Sequence, residues 1–204
     1  MHRSFLAHFL KNPKAVGAIC PLSHSVASQL TKYLKERPNS SPCNILEIGA
    51  GTGNITKSIV SNMTSKDHLD VVELDGKCCR LLKNRYASQE NIHVECCSIV
   101  NWKPPYTYDF IISTLPFNSL PTELVKDIMK HYQSLSNSNT IYAYVEYVGL
   151  QKMSFIFSTP KKRENIKEKN SFLRHTLNKY LIDKSFVLTN FLPCQVYYLK
   201  LDPA

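Results

Sequence analysis

Short runs in which nearly every residue is apolar alternate along the chain with stretches whose apolar residues recur every three or four positions. Ile45, Leu46 and Ile48 predict a short buried strand, and Ile55, Ile59 and Val60 then suit one face of a helix. His68 to Glu73 reads as a second strand ending in an acid, Leu81, Leu82 and Tyr86 as a second helix, and Ile92 to Cys96 as a third strand. Tyr108 to Ser113 predicts a fourth strand. Leu124, Val125, Ile128, Met129 and Tyr132 then fall at helical intervals, followed by a polar turn over 134–139 and a fifth strand over 140–145. A basic helical stretch reaching Tyr180 and two closing strands, 185–188 and 195–199, complete the pattern. Strands alternating with helices predict an α/β fold around a largely parallel sheet.

The join between the first strand and its helix carries the candidate chemistry. It reads N-I-L-E-I-G-A-G-T-G-N from Asn44 to Asn54. Gly49, Gly51 and Gly53 permit an abrupt turn that passes close to a ligand, and the following helix offers free N–H groups. A dinucleotide fingerprint would need its third glycine at position 54, which is Asn; here the glycines alternate, with Glu47 just before them. Glu73 follows about twenty residues later, where the second strand of a doubly wound sheet places a carboxylate over a ribose diol.

With these residues in place the sequence resembles a class I S-adenosylmethionine-dependent methyltransferase along nearly its whole length. Within that group, L-K-N-P-K-A-V-G-A-I-C-P-L-S (Leu10 to Ser23), S-T-L-P-F (Ser113 to Phe117) and N-F-L-P-C-Q-V-Y (Asn190 to Tyr197) are similar to the small bacterial phospholipid N-methyltransferases. The resemblance implies a Rossmann-like fold with a seven-stranded mixed sheet, an N-terminal helical cover over residues 1–37 and a methyltransferase domain over 43–204. It implies S-adenosyl-L-methionine as cofactor, held by Glu47, Gly49, Gly51, Gly53, Glu73 and the pair Cys97 and Ser98, where many relatives have an Asp against adenine. It also implies methylation of the amine of phosphatidylethanolamine and its partly methylated products. Ser113 and Tyr147 would then orient the amine, with Leu115, Pro116, Phe117 and Glu146 around the substrate. Ser113 stands where nucleic-acid amine methyltransferases carry Asn or Asp, which weakens an adenine reading. Two alternatives stay open: an RNA adenine N6-methyltransferase, with Phe117 stacked on the base, and a noncatalytic cofactor-binding interaction protein.

Charge and composition adjust this picture at its edges. The net charge of +9 favours an anionic partner, and nucleic acid and acidic lipid both qualify. Arg3, Lys11, Lys14, Lys32 and Lys35 all precede the first acid, Glu36, so the N-terminal part could face an anionic membrane surface. Phe5, Leu6, Phe9 and Leu10 beside His2, Arg3, His8 and Lys11 fit an interfacial helix or one docked on the domain, and the resemblance favours the interface. With no apolar run long enough to span a bilayer and no signal sequence, the expected location is cytoplasmic, peripheral at the inner membrane. Seven cysteines, two pairs of them adjacent, lack zinc-site spacing, so no metal and reduced thiols are expected. Nothing in the sequence points to an oligomeric partner.

Overall fold

The computed structural model describes residues 22–38, 41–149 and 160–203. The expected interfacial helix and most of the segment from Asn12 to Ser23 lie outside them. Helix α1 (His24–Leu30) starts at Ser23, whose hydroxyl accepts the Val26 N–H, and runs on through Thr31 into α2 (Lys32–Glu36). Val26, Leu30 and Leu34, spaced four residues apart, form one apolar stripe and are buried. Strands β1 (Asn44–Ile48), β2 (His68–Glu73) and β3 (Ile92–Cys96) alternate with α3 (Asn54–Ser61) and α4 (Gly76–Arg85). Strand β4 (Tyr108–Ser113), α5 (Thr122–Ser134), β5 (Ser136–Tyr147), α6 (Pro160–Tyr180), β6 (Leu181–Val187) and β7 (Cys194–Leu199) follow.

The seven strands form one sheet in the order β3-β2-β1-β4-β5-β7-β6, with β7 alone antiparallel to its neighbours. Strands buried on both faces read as continuous apolar runs, which is why β1, β2 and β4 are legible in the sequence. Ile45, Val71, Ile112 and Val145 face a core closed by α1 to α4; Leu46, Val72, Ile111 and Tyr144 face a second core closed by α5 and α6.

Three elements differ from expectation. Strand β5 begins at Ser136, inside the predicted polar turn. Its polar residues hold an irregularity against β4: the Thr140 hydroxyl and the Asn137 amide both donate to the Tyr108 carbonyl, replacing ladder bonds that the register shift breaks. Strand β6 begins four residues early, at an edge where Leu181, Ile182 and Phe186 stay exposed and blur the alternation. Among the cysteines, Cys79 of α4 and Cys96 of β3 are joined as a disulfide, correcting the expectation of thiols throughout. The helix packs over β3 and brings their Cα atoms to 5.9 Å, within bridging range. Cys43, Cys78 and Cys97 are free thiols, and the Cys194 thiol donates to the Leu192 carbonyl at 3.2 Å.

Candidate active site

The carboxyl ends of β1, β2 and β4 gather the predicted loop, its acid and the S-T-L-P-F segment at one edge of the sheet. Gly49, Gly51 and Gly53 have φ of 78°, 55° and 87°, a region that L side chains adopt only with strain. Their surroundings separate their roles. A Cβ on Gly53 would come within 2.7 Å of both Leu82 and Arg85, so this glycine lets α4 pack against the loop. A Cβ on Gly49 would press on Thr114 and Leu115 at 3.2 and 3.3 Å. Gly51 faces open space, and a side chain there would fill the cradle.

Glu73 fixes that cradle. Its carboxylate accepts the N–H of Gly51 at 2.7 Å and those of Leu74 and Asp75 at 2.7 and 2.8 Å, so β2 and the glycine loop are bound into one surface. Glu47 lies beneath, fully buried, and neither carboxyl oxygen has a hydrogen-bond partner. Burial pushes its pKa up to about 8; the nearby Thr56 offsets part of that, and the negative charge of Glu73 adds to it. At the adenine position Ser98 is buried with an unpartnered hydroxyl, and Cys97 is half-buried with its thiol pushed up by burial and then by Glu95. An open glycine cradle beside unpartnered buried oxygens at Glu47 and Ser98 suits a ligand with amine, hydroxyl and purine groups.

The residues expected at the amine are not brought together. Ser113 is completely buried on the α5 face, where its oxygen accepts the Tyr132 hydroxyl at 3.2 Å and the Leu115 N–H at 3.3 Å. Tyr147 packs with the opposite core, among residues closed by α1. Leu115 and Phe117 are core residues, and Phe117, 2% exposed and tilted on Tyr144, offers no open ring face. Pro116 is half-buried.

Thr114 touches the glycine loop directly, and Glu146 carries a perturbed carboxyl at the same end of the sheet. The Thr114 hydroxyl donates to the Gly49 carbonyl at 2.6 Å, which commits its proton and leaves its oxygen as an acceptor beside the cradle. Reading S-T-L-P-F from its serine hid this; the strand's alternation, which turns Ser113 into the core, was the available signal. Glu146, at the end of β5, is part-buried, and desolvation lifts its pKa to about 7, with Lys169 pulling the other way. Lys169 is itself buried, and its ammonium donates to the Asn118 and Leu120 carbonyls at 2.6 and 2.8 Å, so α6 holds the loop that follows Phe117.

The family model described as ribosomal RNA adenine dimethylase matches residues 1–178. The chain belongs to that family. It is 30% identical over 132 residues to an ornithine lipid N-methyltransferase of Singulisphaera acidiphila, covering 62% of this chain and 67% of that protein. It is also 30% identical over 116 residues to the ribosomal RNA small subunit methyltransferase A of a Synechococcus strain, which covers 57% of this chain and only 37% of that longer protein. The N-methyltransferase NodS of Bradyrhizobium japonicum, solved with S-adenosyl-L-homocysteine, superposes with a TM-score of 0.64 at 12% identity, covering 90% of this chain and 89% of that one. A methyltransferase from Clostridium acetobutylicum gives 0.63 at 15% identity, covering 98% and 99%. This member of the family is an S-adenosylmethionine-dependent methyltransferase with the Rossmann-like fold, and no helix among its described residues is long and apolar enough to cross a membrane.

Proposed function

We propose that the chain methylates the headgroup amine of an aminolipid, phosphatidylethanolamine and its partly methylated derivatives. The observation that carries this reading is an apolar rim at the same end of the sheet as the cradle. Val148 follows β5, Leu188 and Phe191 lie in the β6–β7 loop, and the Val148 N–H donates to the Pro193 carbonyl, joining the two segments. Phe191 is 84% exposed and Leu188 69%, which suits contact with acyl chains at a headgroup interface. The burial of Phe117 supports the same choice, since a flat base would need an open aromatic face.

Bound S-adenosylmethionine supplies an electrophilic methyl group on sulfur. The glycine loop, Glu47, Glu73 and Ser98 would hold it, and the chain's remaining work is on the amine. A headgroup ammonium must lose a proton before its nitrogen lone pair can form the new C–N bond as the methyl–sulfur bond breaks. Thr114 would accept one amine hydrogen and fix the approach, while Glu146, poised near neutrality, would take the departing proton. Ser113 acts through its neighbours as a positioning residue, its hydroxyl oxygen bracing the Leu115 N–H, just past Thr114, from the tyrosine-lined core.

The test incubates purified protein with methyl-labelled S-adenosylmethionine and phosphatidylethanolamine vesicles, and separately with unmodified ribosomal RNA, resolving products by mass. Label in mono-, di- or trimethylated lipid is the expected result. Label confined to RNA overturns the lipid reading.

A further inference from the structure

The opposite edge of the sheet, at the amino ends of β2, β3 and β4, carries a second cluster that methyl transfer does not use. His68 and Asp70 are two residues apart on β2 and so share a face, and His93 of β3 is the direct register partner of Asp70. Asp70 is buried, His68 half-buried and His93 exposed. Their candidate ligand atoms all lie within 4.8 Å of one another.

The two oxygens of Asp70 are used differently. Oδ2 accepts the Tyr106 and Tyr108 hydroxyls, each at 2.7 Å, and the Tyr108 oxygen in turn accepts the Trp102 indole N–H at 2.8 Å. Oδ1 faces His68 Nε2 at 3.1 Å and His93 Nδ1 at 4.0 Å. Two phenols therefore orient the carboxylate, and its other oxygen is aimed between two imidazoles. Hydrogen bonding accounts for His68, but not for His93, whose nitrogen stands too far off for such a bond yet points at the same oxygen. The two rings lie 4.8 Å apart, tilted by 36°.

We propose that His68, Asp70 and His93 bind a divalent transition metal of the zinc class. Two imidazoles and one carboxylate are a borderline donor set that suits zinc better than calcium or magnesium, and outer hydrogen bonds of the Tyr106 and Tyr108 kind orient metal-bound carboxylates. Ligand bonds of roughly 2.0–2.1 Å require the His93 ring to move inward by about 1 Å, which its exposed position allows. The ion would replace the 4.0 Å approach of His93 to Asp70 with three bonds to one centre, two from β2 and one from β3. It would stiffen the sheet at the end away from the cofactor.

Calorimetric titration of the full chain with zinc chloride tests this, alongside His93→Ala, an exposed substitution that leaves the buried network intact, and His68→Ala. One zinc per chain is expected, with a melting temperature that rises with zinc concentration, and both variants should lose more than about tenfold in affinity. Cobalt(II) should give visible d–d bands without a strong thiolate charge-transfer band. Absence of saturable binding overturns the proposal. So does equal affinity in His93→Ala, or a thiolate band, which would place the metal on the free cysteines instead.

Discussion

Thr114 and Glu47 show how much depends on where a single side chain is turned. The Thr114 hydroxyl gives its proton to a glycine-loop carbonyl, so its value to an incoming amine is as an acceptor. Thr114→Val keeps the shape and removes that oxygen; it should lower kcat on vesicles by at least about tenfold with little change in melting temperature, whereas Thr114→Ser should retain most of the rate. Glu146→Gln should slow turnover by about a hundredfold or more and flatten its pH profile, because the wild-type rate should rise as Glu146 loses its proton near pH 7. Glu47 makes a prediction about stability. Its folded pKa, about 8, lies above the ordinary carboxylate value, so the folded state holds its proton more tightly than the unfolded state does. Its contribution is fully present at low pH and is lost as pH rises from about 5 through 8, a loss of the order of 3–5 kcal/mol. Urea melts of the cofactor-free protein across that range should show the decline, and Glu47→Gln should remove most of it.

At the scale of elements, the strands were legible wherever both faces are buried. His68–Glu73 and Tyr108–Ser113 were readable to the residue because nearly all of their positions are buried, whereas Ile92–Cys96 was readable from alternation, with Ile92 and Val94 buried and His93 exposed. The glycine spacing and Glu73 were equally legible as a turn and an acid that the structure brings together through the Gly51 N–H. What the pattern did not carry was direction. Which face Tyr147 turns to depends on the register of β4 with β5, and that pairing is long-range. Strand β6 was obscured for a related reason, since its outer face is apolar and exposed. The rim beside it makes its own prediction: Leu188→Ser combined with Phe191→Ser should cut turnover on phosphatidylethanolamine vesicles several-fold while sparing turnover on the same lipid dispersed in detergent. Equal losses in the two assays would remove the rim from lipid access.

For the whole molecule, the two ends of one sheet carry different groups, with the glycine cradle at the carboxyl ends of the parallel strands and the His68, Asp70 and His93 cluster at their amino ends. Open parallel sheets place ligands at the carboxyl edge, so the first location follows from topology alone. The excess of 25 lysine and arginine residues over 16 acids acts over the whole surface. Association with vesicles that contain anionic lipid should therefore weaken steeply between low and physiological salt, measured by co-sedimentation, as charges beyond a Debye length of about 8–10 Å are screened.

The antiparallel strand β7 sits inside the sheet, between β5 and β6, although it is made after both of them. During synthesis β6 therefore leaves the ribosome with no neighbour to pair with, and its apolar residues must wait until Cys194–Leu199 has emerged and inserted. A nascent chain arrested before Cys194 should consequently hold a five-stranded sheet with one sticky, unfinished border. Cys194–Leu199 is thus the segment whose arrival joins β5 to β6 and closes this sheet.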